Sequence, residues 1–177
     1  SKGADRGIHL ETESLKEIDP LYTSKVLAET LSGESFDLIL SGLQSDDSGM
    51  GQTGVLLGEL LNMSTATLAI ETDIDKNKIR VKRELEAGWF QWVELKSPSS
   101  ISIQSGINQP RYPSLKGIMS AKKKEIKVVS APLIETKQNV SEIFVPKKSK
   151  ETEFIETDLD STVERIIEIL KTEVKVF

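Results

Sequence analysis

Three glycines, Gly49, Gly51 and Gly54, punctuate a polar run, GLQSDDSGMGQTG, that begins at Gly42. An apolar segment, Phe36 to Leu40, precedes the run, and an amphipathic one, Val55 to Met63, follows it. That order predicts a strand, a glycine-rich loop and a helix. Such a loop leaves backbone N–H groups free at a helix start, where the helix dipole also favours an anion. Glycine lets the backbone come close to a phosphate and take positive φ. Gln52 and Thr53 add side-chain donors. The chemistry on offer is phosphate binding by main-chain amides. The spacing is neither the dinucleotide G-x-G-x-x-G nor a P-loop, because no Lys-Ser/Thr pair follows. The plain alternative is a polar turn that caps a helix.

The remaining residue types narrow the field. The 177-residue chain has no Cys and a single His, His9. Disulfides, thiolate catalysis and Cys- or His-cluster metal sites are therefore excluded. A net charge of −5 argues against general nucleic-acid affinity, which needs a basic face. No apolar run approaches the ~18 residues of a membrane-spanning helix. With 37% hydrophobic and 29% charged residues and no signal peptide, the expected setting is intracellular and cytoplasmic. The chain opens SKGADRGIHL without an initiator Met and runs straight into a turn and a strand, as if an N-terminal piece were missing.

The elements that must position the loop follow from patterning. Ile8 to Glu11 is a short strand. Asp19 and Pro20 are an N-cap and first helical residue, and Tyr22, Val26, Leu27 and Leu31 give that helix its apolar stripe, which ends at Gly33. The Leu38 to Leu40 strand has nothing polar to alternate, which suggests a parallel strand covered on both faces. Leu56, Leu57, Leu60 and Leu61 line the second helix. This βαβα order marks a layered α/β domain. Thr67 to Glu71, Lys78 to Leu85 and Trp89 to Leu95 then read as three strands, with turns at Asp73 to Asn77 and Glu86 to Gly88. Ile79, Val81 and Arg83 alternate with Arg80, Lys82 and Glu84, so one face is wet. Trp89 and Trp92 fall on opposite faces and read as core or lid residues more readily than as a ligand stack. Ser100 to Ile103 is strand-like and carries no readable chemistry.

A second candidate site lies further on. Gly106 to Gly117 is punctuated by Pro and Gly and leads into IMSAKKKEI, starting at Ile118. The structural reading is a surface loop and a short basic helix. Leu115, Ile118 and Met119 nevertheless stand as exposed apolar groups beside Lys122 to Lys124, an arrangement typical of a protein contact. Lys127 to Ala131 is a last strand, and Pro132 to Glu153 is a polar, extended arm. Ser161 and Glu164 make a capping box for a final helix striped by Val163, Ile166, Ile167 and Leu170. The expected division is a nucleotide-binding domain over 1–131, and an arm and helix over 132–177 that dock on a partner subunit.

Together these residues resemble the β subunit of electron-transferring flavoprotein, over essentially the whole chain. The match rests on GADRGIH from Gly3, on the Gly42 to Gly54 loop with Asp47 and Gln52 to Gly54, and on NQPRYPSL from Asn108 through Lys122 to Lys124. The last is the most specific, because no fold requirement explains it. The resemblance implies a layered parallel sheet of the adenine-nucleotide-binding (HUP-like) type, with an antiparallel hairpin extension and a C-terminal arm ending in a helix. It implies an αβ heterodimer that carries electrons from flavin dehydrogenases, such as the acyl-CoA dehydrogenases of fatty acid oxidation, to a quinone oxidoreductase or ferredoxin-type acceptor. The β subunit is then a carrier component and no enzyme in itself. The redox FAD sits mainly on the α subunit, and β holds an AMP in the loop matching Gly42, Asp47, Ser48, Gly49, Met50, Gly51, Gln52 and Thr53. Asp47 accepts from a ribose or fixes the loop. Leu115 plugs a pocket on the dehydrogenase; Ile118, Met119 and Lys123 join that contact, and Arg111 and Tyr112 shape the loop. In a eukaryote the setting is the mitochondrial matrix. Ser48, Gly49 and Gly51 depart from the AMP-type loop; the small residues at 48 and 51 are similar to a branch that binds FAD at the β site and splits electron pairs, whereas Thr53 is similar to the AMP type. The family's first strand–helix units have no counterpart in the chain. A non-redox nucleotide-binding stress module shares the architecture but leaves Arg111 to Lys124 unexplained. An ATP pyrophosphatase requires a second glycine where Leu43 stands.

Overall fold

In the computed structural model, Asp19 Oδ1 accepts the Tyr22 N–H at 2.6 Å ahead of α1 (Pro20–Leu31). Asp and Pro thus open that helix as their chemistry dictates. The structure describes residues 1–12, 19–75, 78–135, 140–146, 152 and 154–176. Before α1 comes β1 (Arg6–Glu11). After it come β2 (Leu38–Gly42), α2 (Thr53–Leu60), β3 (Ser64–Asp75), β4 (Lys78–Glu84), β5 (Phe90–Lys96) and β6 (Ser99–Ile103). Then follow α3 (Leu115–Ala121), β7 (Glu125–Ser130) and α4 (Leu159–Ile169). The fold is mixed α/β, as the patterning predicted.

Among the described residues the strands form two sheets. One has the order β2-β6-β3-β4-β5; in the other, β1 pairs in parallel with β7. In the larger sheet β2, β6 and the first half of β3 run parallel, whereas β3, β4 and β5 form an antiparallel meander. β3 therefore serves both halves. It shifts register between Ala66 and Ala69, where Leu68 takes a φ of 59°. Half-buried Arg83 closes that irregularity: its Nε donates to the Thr67 carbonyl at 2.9 Å and its Nη2 to Thr67 Oγ1 at 2.8 Å. The core gathers around this junction, from Ala66, Ala69, Ile79, Val81 and Ile101.

Several sequence expectations change. The Thr67 to Glu71 strand is twelve residues long, Ser64–Asp75. Asp73 and Asp75, read as a turn, continue it because they oppose Arg80 and Lys78 across the ladder. Residues 76 and 77 of that turn lie outside the described residues. β2 is an edge strand, with Leu40 exposed, because β1 is paired with β7 in the other sheet. Trp89 and Trp92 are both exposed, so neither packs in the core. Trp92 lies on the wet face opposite Lys82, beneath the Arg80 guanidinium at 4.9 Å from its ring centre. The unreadable serine-rich strand, β6, turns out to be central: Ser99, Ser100, Ile101 and Ser102 are all buried.

The chain divides into two compact units, Ser1–Val140 and Ser141–Phe177. In the second, Asp158 rather than Ser161 is the N-cap of α4. Asp158 accepts from the Ser161 N–H at 3.1 Å and from its hydroxyl at 2.7 Å. The capping pair thus begins three residues early, with Ser161 in the answering position. These bonds hold the Asp158 carboxyl below its usual range. Of the extended arm, 136–139, 147–151 and 153 lie outside the described residues; 132–135 and 140–146 form no regular element.

Candidate functional site

Among the described residues, three of four α-helices satisfy their own first turn with a side chain: Asp19 for α1, Ser114 for α3 and Asp158 for α4. The exception is α2, whose N-cap residue, Gln52, makes no side-chain hydrogen bond. The leading N–H groups of any helix lack intrahelical acceptors, so those of Thr53, Gly54 and Val55 remain available to an outside one.

The sequence beneath α2 explains how that turn is held in place. Ser24, fully buried in α1, shares its one hydroxyl proton between the Pro20 carbonyl at 2.6 Å and the Thr53 carbonyl at 3.0 Å. Ser100, in β6, donates to the Gly54 carbonyl at 3.2 Å. Both hydroxyls bond carbonyls and leave the amides open. Gly54 sits against Ser41 Oγ, and Gly58, one turn on, against Thr65 Oγ1 and Ser100, so a Cβ at either position would overlap them. Glycines at i and i+4 give α2 a flat face, and Ser41, Ser100 and Ser102 give the sheet an equally low one. Gly54, read as a phosphate-approach residue, is thus explained by helix–sheet packing. Ser24, Gly58 and the β6 serines were missed from sequence, although the paired Gly54 and Gly58 were a legible signal. Ser41 and Ser102 are register partners across β2 and β6, and their buried hydroxyl oxygens have no hydrogen-bond partner among the described residues.

The loop that leads into α2 is exposed and self-bonded. Asp47 Oδ1 accepts the Ser48 N–H at 2.6 Å, the Ser45 and Ser48 hydroxyls meet at 3.1 Å, and Gly49 N–H reaches the Ser45 carbonyl at 3.0 Å. Ser45, then Ser48, holds the Asp47 carboxyl below its ordinary range. Gly49 and Gly51 both take a φ of 62°. At Gly51 the chain also passes close to the Leu43 carbonyl, so the glycine is required twice over. Gly42 closes β2, and Met50 projects half exposed from the loop. All the residues expected of the phosphate site, Gly42 and Asp47 to Thr53, therefore lie in one connection between β2 and the open helix start.

The second candidate surface is built differently. Ser114 caps α3, its Oγ accepting the Gly117 N–H at 3.0 Å. Leu115 is 78% exposed and Tyr112 97%, with Ile118 and Met119 also exposed. Leu115 is the first helical residue, so the helix starts earlier than IMSAKKKEI suggested. It ends at Ala121, and Lys123 falls in the turn before β7. Arg111 is turned onto the N-terminal segment, its Nη2 donating to the Lys2 carbonyl at 2.8 Å.

Among the described residues no group of three or more His, Asp or Glu is placed to hold a metal ion, and no helix is long and apolar enough to cross a membrane. A family profile described as "Electron transfer flavoprotein domain" matches residues 1–134. Curated relatives carry the name "Electron transfer flavoprotein subunit beta". The chain is 36% identical to that of Dictyostelium discoideum over 171 residues, 96% of this chain and 66% of the relative. It is 32% identical to that of Methylophilus methylotrophus over 182 aligned positions, 96% of this chain and 69% of the relative. It is 37% identical to that of Bos taurus over 131 residues, 73% of this chain and 51% of the relative. The chain thus spans about two thirds of the first two relatives and about half of the third.

Proposed function

The chain belongs to the electron transfer flavoprotein family, on its β-subunit side, and from that premise we propose that it binds an adenine nucleotide at the start of α2 and pairs with an α subunit to carry electrons. The observation that carries the nucleotide reading is the uncapped N-terminus of α2, pinned by its carbonyls through Ser24 and Ser100. An AMP phosphate fits that arrangement. The free amides of Thr53, Gly54 and Val55 lie at the positive end of the helix dipole, which suits a phosphate, and Gly49 and Gly51 take positive φ in the loop before them. Asp47 accepts the Ser48 N–H through Oδ1 and so fixes the loop, and its carboxylate keeps acceptor capacity for a ribose hydroxyl.

When bound by the α subunit, FAD supplies the redox chemistry. This chain's residues do the binding and presenting. The α2 turn holds the phosphate, and α3 offers Leu115, flanked by Ile118 and Met119, to a flavin dehydrogenase. The apolar stripe of α4 (Val163, Ile166, Ile167) is exposed within its own unit and suits docking on the α subunit. A specific observation supports a second reading, FAD in the β site of an electron-splitting protein. The small residues Ser48 and Gly51 match the loop of that branch. A non-redox stress module offers no use for the α3 surface.

The test is to denature the purified αβ heterodimer and count the nucleotides released. One FAD and one AMP per heterodimer supports the carrier reading. Two FAD and no AMP supports the second, and FAD alone removes the β site.

A further inference from the structure

The α3 surface does not hang from the body of the molecule by its own loop alone. It lies on the segment that leads into β1, and three contacts from three different places converge there. The Arg111 guanidinium donates to the Lys2 carbonyl across 109 positions of sequence. Gly117, in the first turn of α3, lies so close to the Ser1 carbonyl that a Cβ would overlap its oxygen. Lys124 Nζ, just after the helix, stands 3.6 Å from Asp5 Oδ1. Downstream, β7 pairs with β1 in register from Arg6 opposite Glu125 to Glu11 opposite Ser130. The segment 1–5 is therefore the N-terminal continuation of the strand that holds the end of the α3 connection.

We infer that residues 1–5 are a bracket that sets the pose of α3, and that Arg111 and Gly117 are positioning residues rather than partner contacts. The inference rests on the docking reading of Leu115, which it deepens. Arg suits the task because its long side chain brings a charged N–H donor to the Lys2 carbonyl, and the resulting bond carries direction as well as charge. Gly117 suits it because only a residue without a Cβ lets the helix settle on the backbone of Ser1. With both in place, the α3 backbone that carries Leu115 is held against the segment, which lowers the ordering cost of docking. Tyr112, almost wholly exposed, takes no part in the bracket.

The experiment uses the αβ heterodimer with Arg111→Ala and Gly117→Ala, and Leu115→Ala as the docking control. Amide hydrogen exchange over residues 112–121 is measured without any partner. KM and kcat are then measured with an acyl-CoA dehydrogenase as electron donor. The bracket requires at least tenfold faster exchange in both positioning variants, and a KM raised about tenfold with kcat unchanged. Leu115→Ala should raise KM while its exchange stays parental. Parental exchange in Arg111→Ala overturns the bracket even if Gly117→Ala fails to assemble. A raised KM with parental exchange places Arg111 in the partner contact itself, and also overturns it. If Leu115→Ala leaves KM unchanged, the docking reading fails, while exchange still decides the bracket.

Discussion

Two short helices, α2 and α3, each carry a glycine in close contact in their first turn, and they leave opposite things exposed. α2 buries its Gly54 face against the serines of β2 and β6 and has no side chain on its leading amides. α3 caps itself with Ser114 and keeps Leu115, Ile118 and Met119 in solvent. The first leaves polar valence open and the second apolar surface. An open set of amides selects an anion, and a rigid apolar projection selects a protein pocket. The two also stand on different supports: α2 lies on the five-stranded sheet, whereas α3 leads into the β1–β7 pair. Separate supports allow each function to be damaged without the other, and that separability is open to test.

Gly54→Ala should have the largest effect. Its Cβ would overlap Ser41 Oγ, and moving α2 off the sheet costs about 2 kcal/mol. Urea unfolding should show the loss, and nucleotide content should fall more than tenfold. A parental nucleotide content with normal stability would break the α2 half of the comparison. Leu115→Ala comes next. Losing a buried anchor of about 2 kcal/mol should raise the KM for the dehydrogenase about 30-fold and leave AMP content and unfolding midpoint alone. A matching loss of AMP would mean that the two regions are not separate. Ser24→Ala removes the hydroxyl that holds the Thr53 carbonyl, worth about 1 kcal/mol. AMP titration should read an affinity about fivefold weaker, with dehydrogenase kinetics unchanged.

The smallest effect concerns pH. Asp47 titrates below its ordinary range because Ser45 and the Ser48 N–H favour its charged form. Its contribution to loop order is therefore complete at pH values above the usual carboxylate range, and it is lost as pH falls through the lowered folded-state value. AMP release should rise as pH falls through that window. Asp47→Asn should flatten this part of the profile, and a profile identical to the parent's would show that the Asp47 charge plays no part.

Local rules carried much of this architecture. Asp19-Pro20 announced α1, the alternation of Ile79, Val81 and Arg83 announced the inward face of β4, and the apolar residues of α3 are exposed as their Lys neighbours suggested. Long-range geometry was not legible. The serines of β6 looked featureless because their role depends on Gly54 and Gly58 of a helix more than forty residues earlier, which makes small residues the fitting choice in a buried strand. β3 pairs with parallel and antiparallel neighbours at once, and no period-two pattern reports that. The cap of α4 moved to Asp158 because Asp and Ser three residues apart both have capping side chains, and only the chain path decides between them. The contact of Arg111 with Lys2 had no local signal at all.

The central claim is that the amides at the start of α2 grip a phosphate. It is tested most directly by recording backbone amide shifts of the isotope-labelled chain, in a heterodimer stripped of nucleotide, during titration with AMP and separately with adenosine. Large saturable shifts at Thr53, Gly54 and Val55 with AMP, and small ones with adenosine, are the expected result. Equal shifts with both ligands, or shifts confined to other segments while AMP binds, would contradict it.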